Sequence, residues 1–122
     1  MADLKSFVLG RIRSVKYAFI GLYRLVSQEH SIITQLIIAG LATIAGFYFQ
    51  ISTTEWMMQI FSIGLVLSTE GINTAIEEMA DFIHPDFHKK IGLIKDVAAG
   101  AVTISALTAL IIGIMIYYPK LF

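Results

Sequence analysis

Glu70, Asn73, Glu77 and Asp81 recur at steps of three and four residues where an apolar run ends, the spacing that puts side chains on one face of an α-helix. With Thr74 they fall within about 100° of one another. Ile72, Ala75, Ile76, Met79 and Ala80 cover the rest of the surface. A carboxylate near the centre of a bilayer costs about 2.5–3.5 kcal/mol on insertion scales, so a row of them faces protein, water or metal rather than lipid. A lone Asn or Thr in a membrane helix is commonly an interhelical hydrogen-bond partner. Repeated negative charge is not needed for that purpose, and each added carboxylate requires its own compensation. Hard divalent cations such as Mg2+ take oxygen ligands and combine one or two carboxylates with nucleotide phosphates. Glu77, at the membrane–water boundary, suits that task. Glu70, deeper in the apolar run, suits general-base work toward a lipid hydroxyl.

Lys95 and Asp96 open the next apolar run. A lysine there either snorkels to the interface or, returning beside an acidic face, contacts a phosphate as a point charge. The small residues 97–101 permit close helix approach. Glu29 and His30, judged by spacing alone, form a solvated or capping polar turn. His84 and His88, separated by Pro85, have no regular metal spacing. GxxxxGK[ST], GxGxxG, HRD and DFG are absent from the sequence, so neither soluble nucleotide-binding architecture is available. Any use of ATP must follow another route.

The elements that position these residues follow from composition. Of 122 residues, 57% are apolar and 15% charged, with zero formal net charge and no cysteine. That balance points to a small polytopic membrane protein, gives no charge-based case for nucleic-acid binding, and excludes disulfides and thiolate metal sites. The N-terminus carries basic residues without an apolar core and small-residue cleavage site, so no removable signal peptide is expected. Residues 3–28 alternate large apolar residues with Lys5, Arg11, Arg13, Lys16 and Arg24. This is the pattern of an amphipathic surface helix, on a membrane or on other protein. Apolar runs, the second continuing without a breaker into the acidic segment, predict spans over about 32–49, 56–80 and 96–118, with a polar turn over 50–55 and a polar connection over 86–93. The fold class is therefore an all-α membrane protein, one domain over residues 1–122: a surface helix and three transmembrane helices. Five basic residues precede the first span, none lies in the first turn, three (Lys89, Lys90, Lys95) lie between the later spans, and Lys120 is near the end. The positive-inside rule then puts the N-terminus in the cytoplasm and the C-terminus outside.

Residues 70–77 (EGINTAIE), Asp81 and residues 94–102 (IKDVAAGAV) resemble the small integral-membrane lipid kinases, the prokaryotic diacylglycerol kinase and undecaprenol kinase family. The likeness extends to residues 17–22 (YAFIGL) and to Glu29. It implies a homotrimeric helical bundle in the bacterial inner membrane, with composite sites at subunit boundaries. There the γ-phosphoryl group of ATP would pass to a lipid hydroxyl with Mg2+. Carried over by position, Glu70 is the general base, Glu29 and Glu77 hold the metal, Asn73 positions, and Lys95 contacts phosphate. Tyr17, His88, Gly92 and Asp96 surround the nucleotide, with Arg11 or Arg13 contributing and Asp81 in support. The best-known diacylglycerol kinases carry a glutamate where this chain has Gln35 and a GSAAV-like run where it has Ala98-Ala99-Gly100-Ala101. The AAGAV form is more similar to the undecaprenol kinases, so undecaprenol is the expected lipid and diacylglycerol the alternative. A proton-relay or purely structural membrane subunit is the competing expectation from another class.

Overall fold

The computed structural model describes residues 2–122, and Met1, included in the expected domain, lies outside them. Among the described residues the chain is four α-helices and no strand: α1 (Ala2–Gln28), α2 (His30–Tyr48), α3 (Thr53–Ile83) and α4 (Lys89–Leu121). The expected surface helix corresponds to α1. The expected spans lie within or, at 49, one residue beyond α2, α3 and α4.

Two boundaries have clear local causes. At the end of α2, Gln50 adopts a left-handed φ of 51°, while Gln50 N–H donates to the Phe47 carbonyl and Ile51 N–H to that of Gly46. This paired arrangement satisfies carbonyls that the helix end would otherwise leave open. Two residues after Gln50, Ser52 forms with Glu55 a reciprocal capping box that starts α3, with Glu55 N–H donating to Ser52 Oγ (3.1 Å) and Ser52 N–H to Glu55 Oε1 (2.9 Å). The chain thus reverses within a handful of residues, and α2 and α3 run antiparallel.

The polar connection is shorter than the sequence indicated. Helix α4 begins at Lys89, so Gly92, Lys95 and Asp96 belong to its first two turns. His88 makes this possible: its Nδ1 accepts the Lys90 backbone N–H at 3.0 Å, taking the place of the usual Ser, Thr or Asp cap. At the other end α4 continues through Pro119 to Leu121.

Helices α3 and α4 make the most extensive pairing, α2 packs on α3, and α1 touches α2. The register of α3 against α4 can be followed in polar contacts along their length. Lys120 Nζ meets Glu55 Oε2 (2.7 Å), Tyr117 OH donates to Gln59 Oε1 (2.5 Å), Thr69 and Ser105 share a hydroxyl bond (2.7 Å), and Lys95 Nζ meets Asp81 Oδ1 (2.5 Å). As residue numbers fall along α4 they rise along α3, the signature of an antiparallel hairpin. Gln59 joins the third helix, donating to the Ala42 carbonyl of α2 at 3.0 Å, and Tyr117 OH reaches the same carbonyl at 3.2 Å.

Little of the chain's apolar surface is buried within it, and Phe47, Phe61, Ile104 and Met115 are among many large side chains left exposed. Helices α2 and α4 are long and apolar enough to cross a membrane, and only 11% of the apolar window of each is buried. A helix at the centre of a water-soluble core would be covered. Helix α3 is not among those that meet the same measure; its second half carries Glu70, Glu77, Glu78 and Asp81.

Candidate active site on the acidic face of helix α3

Three consecutive residues fix how α3 presents its acids. Thr69 hydrogen-bonds Ser105 of α4, and Gly71 lies against Leu25 of α1, where an added Cβ would come within 3.2 Å of Leu25 Cδ1. Successive helical residues diverge by about 100°, so α4 and the end of α1 flank the direction of Glu70 on opposite sides. Thr74, Glu77 and Asp81 follow Glu70 along that direction, one turn apart. The acidic stripe therefore lines a trough between α1 and α4. Glu70, Asn73 and Thr74 are half-buried in it, and Glu77 and Asp81 are exposed at its polar end.

Within the trough Asn73 Nδ2 donates to Glu77 Oε1 at 3.3 Å. The other amide atom, Asn73 Oδ1, is buried without a hydrogen-bond partner among the described residues. A buried carbonyl oxygen left unpaired costs about 1–3 kcal/mol, so its placement calls for a donor or cation that the chain itself does not supply. Lys95 reaches back from α4 to Asp81, and Glu77 adds to the negative field at that ammonium. The structure thus brings Asn73, Glu77, Asp81 and Lys95 together. The pairing of Lys95 with Asp81 was not foreseen from spacing.

Glu29 is the single non-helical residue between α1 and α2. It occupies the N-cap position of α2 with φ −97° and ψ 115°, yet its side chain makes no capping hydrogen bond. The capping role that spacing favoured is therefore not what the carboxylate does. Half-buried at the end of α1, it is one turn beyond Leu25, which rests on Gly71 beside Glu70. Among the described residues no three acidic or histidine side chains cluster tightly enough to hold a metal by themselves.

A second group lies at the start of α4. His88, Gly92 and Asp96 line an open cleft together with Phe87, Lys89, Lys90 and Leu93. Phe87, 91% exposed, stands beside Gly92, whose added Cβ would lie 3.8 Å from the ring. The two adjacent lysines and the phenylalanine were not singled out by the sequence; a basic pair next to a histidine at a helix start was the available signal. Tyr17, Arg11 and Arg13 are not among the residues lining this cleft. All three are exposed on α1, where the Arg11 guanidinium lies 5.7 Å from the Phe7 ring centroid.

Residues 16–117 match the family described as prokaryotic diacylglycerol kinase. The chain belongs to this family. It is also 44% identical over 78 residues to the undecaprenol kinase of Bacillus subtilis (strain 168), a match covering 64% of this chain and 63% of that protein. The aligned part thus spans less than two thirds of the relative's length. The resemblance carried by residues 70–77 and 94–102 is therefore one of family membership. As a family member with two long apolar helices exposed along their length, the protein is an all-α membrane protein.

Proposed function

We propose that this chain is a lipid kinase of the bacterial inner membrane, transferring the γ-phosphoryl group of ATP to the hydroxyl of a lipid alcohol. The observation that carries the reading is the trough on α3. It holds a half-buried glutamate, an amide oxygen without a partner among the described residues, an exposed glutamate and a lysine in succession. Membership in the prokaryotic diacylglycerol kinase family supports it. Similarity to an undecaprenol kinase and the AAGAV run at 98–102 favour undecaprenol over diacylglycerol as acceptor.

In this reading the membrane is crossed over about 32–49, 56–80 and 96–118, with α1 on the cytoplasmic surface and the C-terminus outside. The connection over 84–88 then faces the compartment that holds ATP. Glu70 accepts the proton of the lipid hydroxyl as its oxygen bonds to the γ-phosphorus and the bond to the β–γ bridging oxygen breaks, releasing ADP. Lys95 exchanges Asp81 for a phosphate oxygen and stabilises the transferring charge. Asn73, His88, Gly92 and Asp96 hold the nucleotide, joined by Tyr17 and by Arg11 or Arg13 from α1. The donor set fits Mg2+: Glu29 and Glu77 supply carboxylate oxygens not committed to capping or ion pairs, and phosphate and water complete the shell. When bound, the cation would neutralise charge on the phosphate oxygens. The exposure of α1 and of the cleft at the start of α4 supports a homotrimer in which a neighbour completes each site.

The test is turnover in lipid nanodiscs with ATP and Mg2+, undecaprenol and diacylglycerol being offered side by side. Glu70→Gln is expected to lower kcat by about 10²–10⁴-fold, the usual worth of a general base, and Glu77→Gln to raise the Mg2+ needed for half-maximal rate. Full turnover by both variants excludes these roles. Equal rates on the two lipids remove the preference for undecaprenol, and ATP-independent proton flux in liposomes would point to a proton-relay protein instead.

A further inference from the structure

We infer that Leu25 and Gly71 form a notch that positions Glu29 for the acidic trough, which makes Leu25 a positioning residue for the metal site. The inference rests on the function proposed above. Helix α1 is exposed over nearly its whole length, and Leu25 is one of the few residues on it that are even half-buried. Its side chain lies where a Cβ on residue 71 would be, 3.2 Å from Cδ1 and 3.6 Å from Cδ2. Gly71 adopts no unusual backbone angle, so a turn does not explain the glycine. In the middle of a helix glycine costs about 1 kcal/mol relative to alanine, and what it provides here is space.

That space is filled by the last turn of α1, and Glu29 follows directly. Between Leu25 and Glu29 lies one turn of helix, and Glu29 has extended backbone angles and no capping bond. Its position is therefore set by where α1 ends rather than by its own side-chain contacts. Gly71 adjoins Glu70 and precedes Asn73 by two residues and Glu77 by six on the same helix. A close approach of α1 at residue 71 carries the Glu29 carboxylate toward the same trough. A larger side chain there moves it away.

The experiment uses the full chain in nanodiscs. Gly71→Leu fills the notch with a good helix former, so α3 persists; Leu25→Ala in the same chain empties the opposing side. Because the protein has no native cysteine, spin labels placed through cysteines at Gln28 and Glu78, both exposed, report the separation of the α1 end from α3. Mn2+ binding in the presence of a non-hydrolysable ATP analogue is followed by electron paramagnetic resonance. Gly71→Leu is expected to lengthen the label separation and weaken Mn2+ binding at least tenfold. The double variant is expected to restore the separation and bring Mn2+ affinity back to within about threefold of the parent. A separation unchanged by Gly71→Leu, or a double variant no better than the single one, overturns the notch. A parent chain that binds Mn2+ together with a Gly71→Leu chain that binds it equally well overturns the positioning role while leaving the site assignment intact. A parent chain that binds no Mn2+ overturns the site assignment, and the role of Leu25 with it.

Discussion

Lys95 and Asp81 are 37% and 61% exposed, and an ion pair so open to water contributes little to stability. The lysine is therefore held near the stripe at little cost and is easily transferred to a stronger anion. Replacing Asp81 by asparagine removes a competitor for that ammonium. The expected outcome is tighter nucleotide binding, by no more than about fivefold, read as a fall in the Kd of a fluorescent ATP analogue. A large loss of affinity would mean that Asp81 orients Lys95 rather than competing for it. The periodicity of Glu70, Asn73, Glu77 and Asp81 was legible because all four lie on one helix, where spacing fixes direction. The partner of Lys95 was not, since it depends on the register between two helices. Glu29 was legible only through resemblance: its spacing read as a cap, and its uncapped carboxylate emerges only once the backbone is in place.

Helix α3 is 31 residues of uninterrupted helix, and its two halves have different neighbours. The first packs on α2 as well as α4; the second has α4 on one flank and the end of α1 on the other. The first half depends on Gly46 of α2, where an added Cβ would lie 2.6 Å and 2.8 Å from Trp56 Cη2 and Cζ2. Those are distances from the added carbon to the indole ring, which already packs against Phe47 with 4.9 Å between ring centroids and so has little freedom to retreat. Overpacking of this kind costs about 1–3 kcal/mol, against about 1 kcal/mol gained in helix propensity by removing a glycine. Gly46→Ala is thus expected to lower stability by up to about 2 kcal/mol. Trp56 is the only tryptophan, so its fluorescence in detergent both monitors unfolding and reports the local shift. The helices themselves followed from hydropathy and length. Their pairings rest on a buried Gln59 (5% exposed) and Ser105 (3% exposed), polar residues that look like ordinary surface or lipid-facing positions until their partners are known. The early start of α4 had the same origin, because a histidine cap is not a usual helix signal.

Seen as a whole, the molecule is tied at one end and more open at the other. Away from the trough, Gln59 and Tyr117 converge on the Ala42 carbonyl, and Lys120 closes on Glu55 beside the α2–α3 turn, so three helices are joined there. Beyond the Thr69–Ser105 bond, the polar tie of α3 to α4 at the trough end is an exposed ion pair, and α1 meets α3 through the contact of Leu25 with Gly71. The proposed site, which would admit both a lipid and a nucleotide, lies at the looser end. The tied end has a pH signature of its own. Hydrogen bonding from the Lys120 ammonium, then from the Ser52 backbone N–H, holds the Glu55 carboxyl below its ordinary value against a smaller opposing effect of desolvation. A carboxyl whose folded pKa is depressed contributes stability that is complete above its unfolded pKa and is lost as pH falls through the folded one. The loss is therefore expected below about pH 4.5. Glu55→Gln isolates the ion pair, because glutamine can still complete the Ser52 capping box. The parent chain should be the more stable above that range, and the difference should shrink as the pH is lowered through it, measured by denaturant unfolding in detergent. At neutral pH the variant should keep its kinase rate, since Glu55 lies at the end remote from Glu70 and Glu77. A rate that fell with Glu55→Gln would mean that the tied end governs the trough and that the two ends of α3 are mechanically coupled.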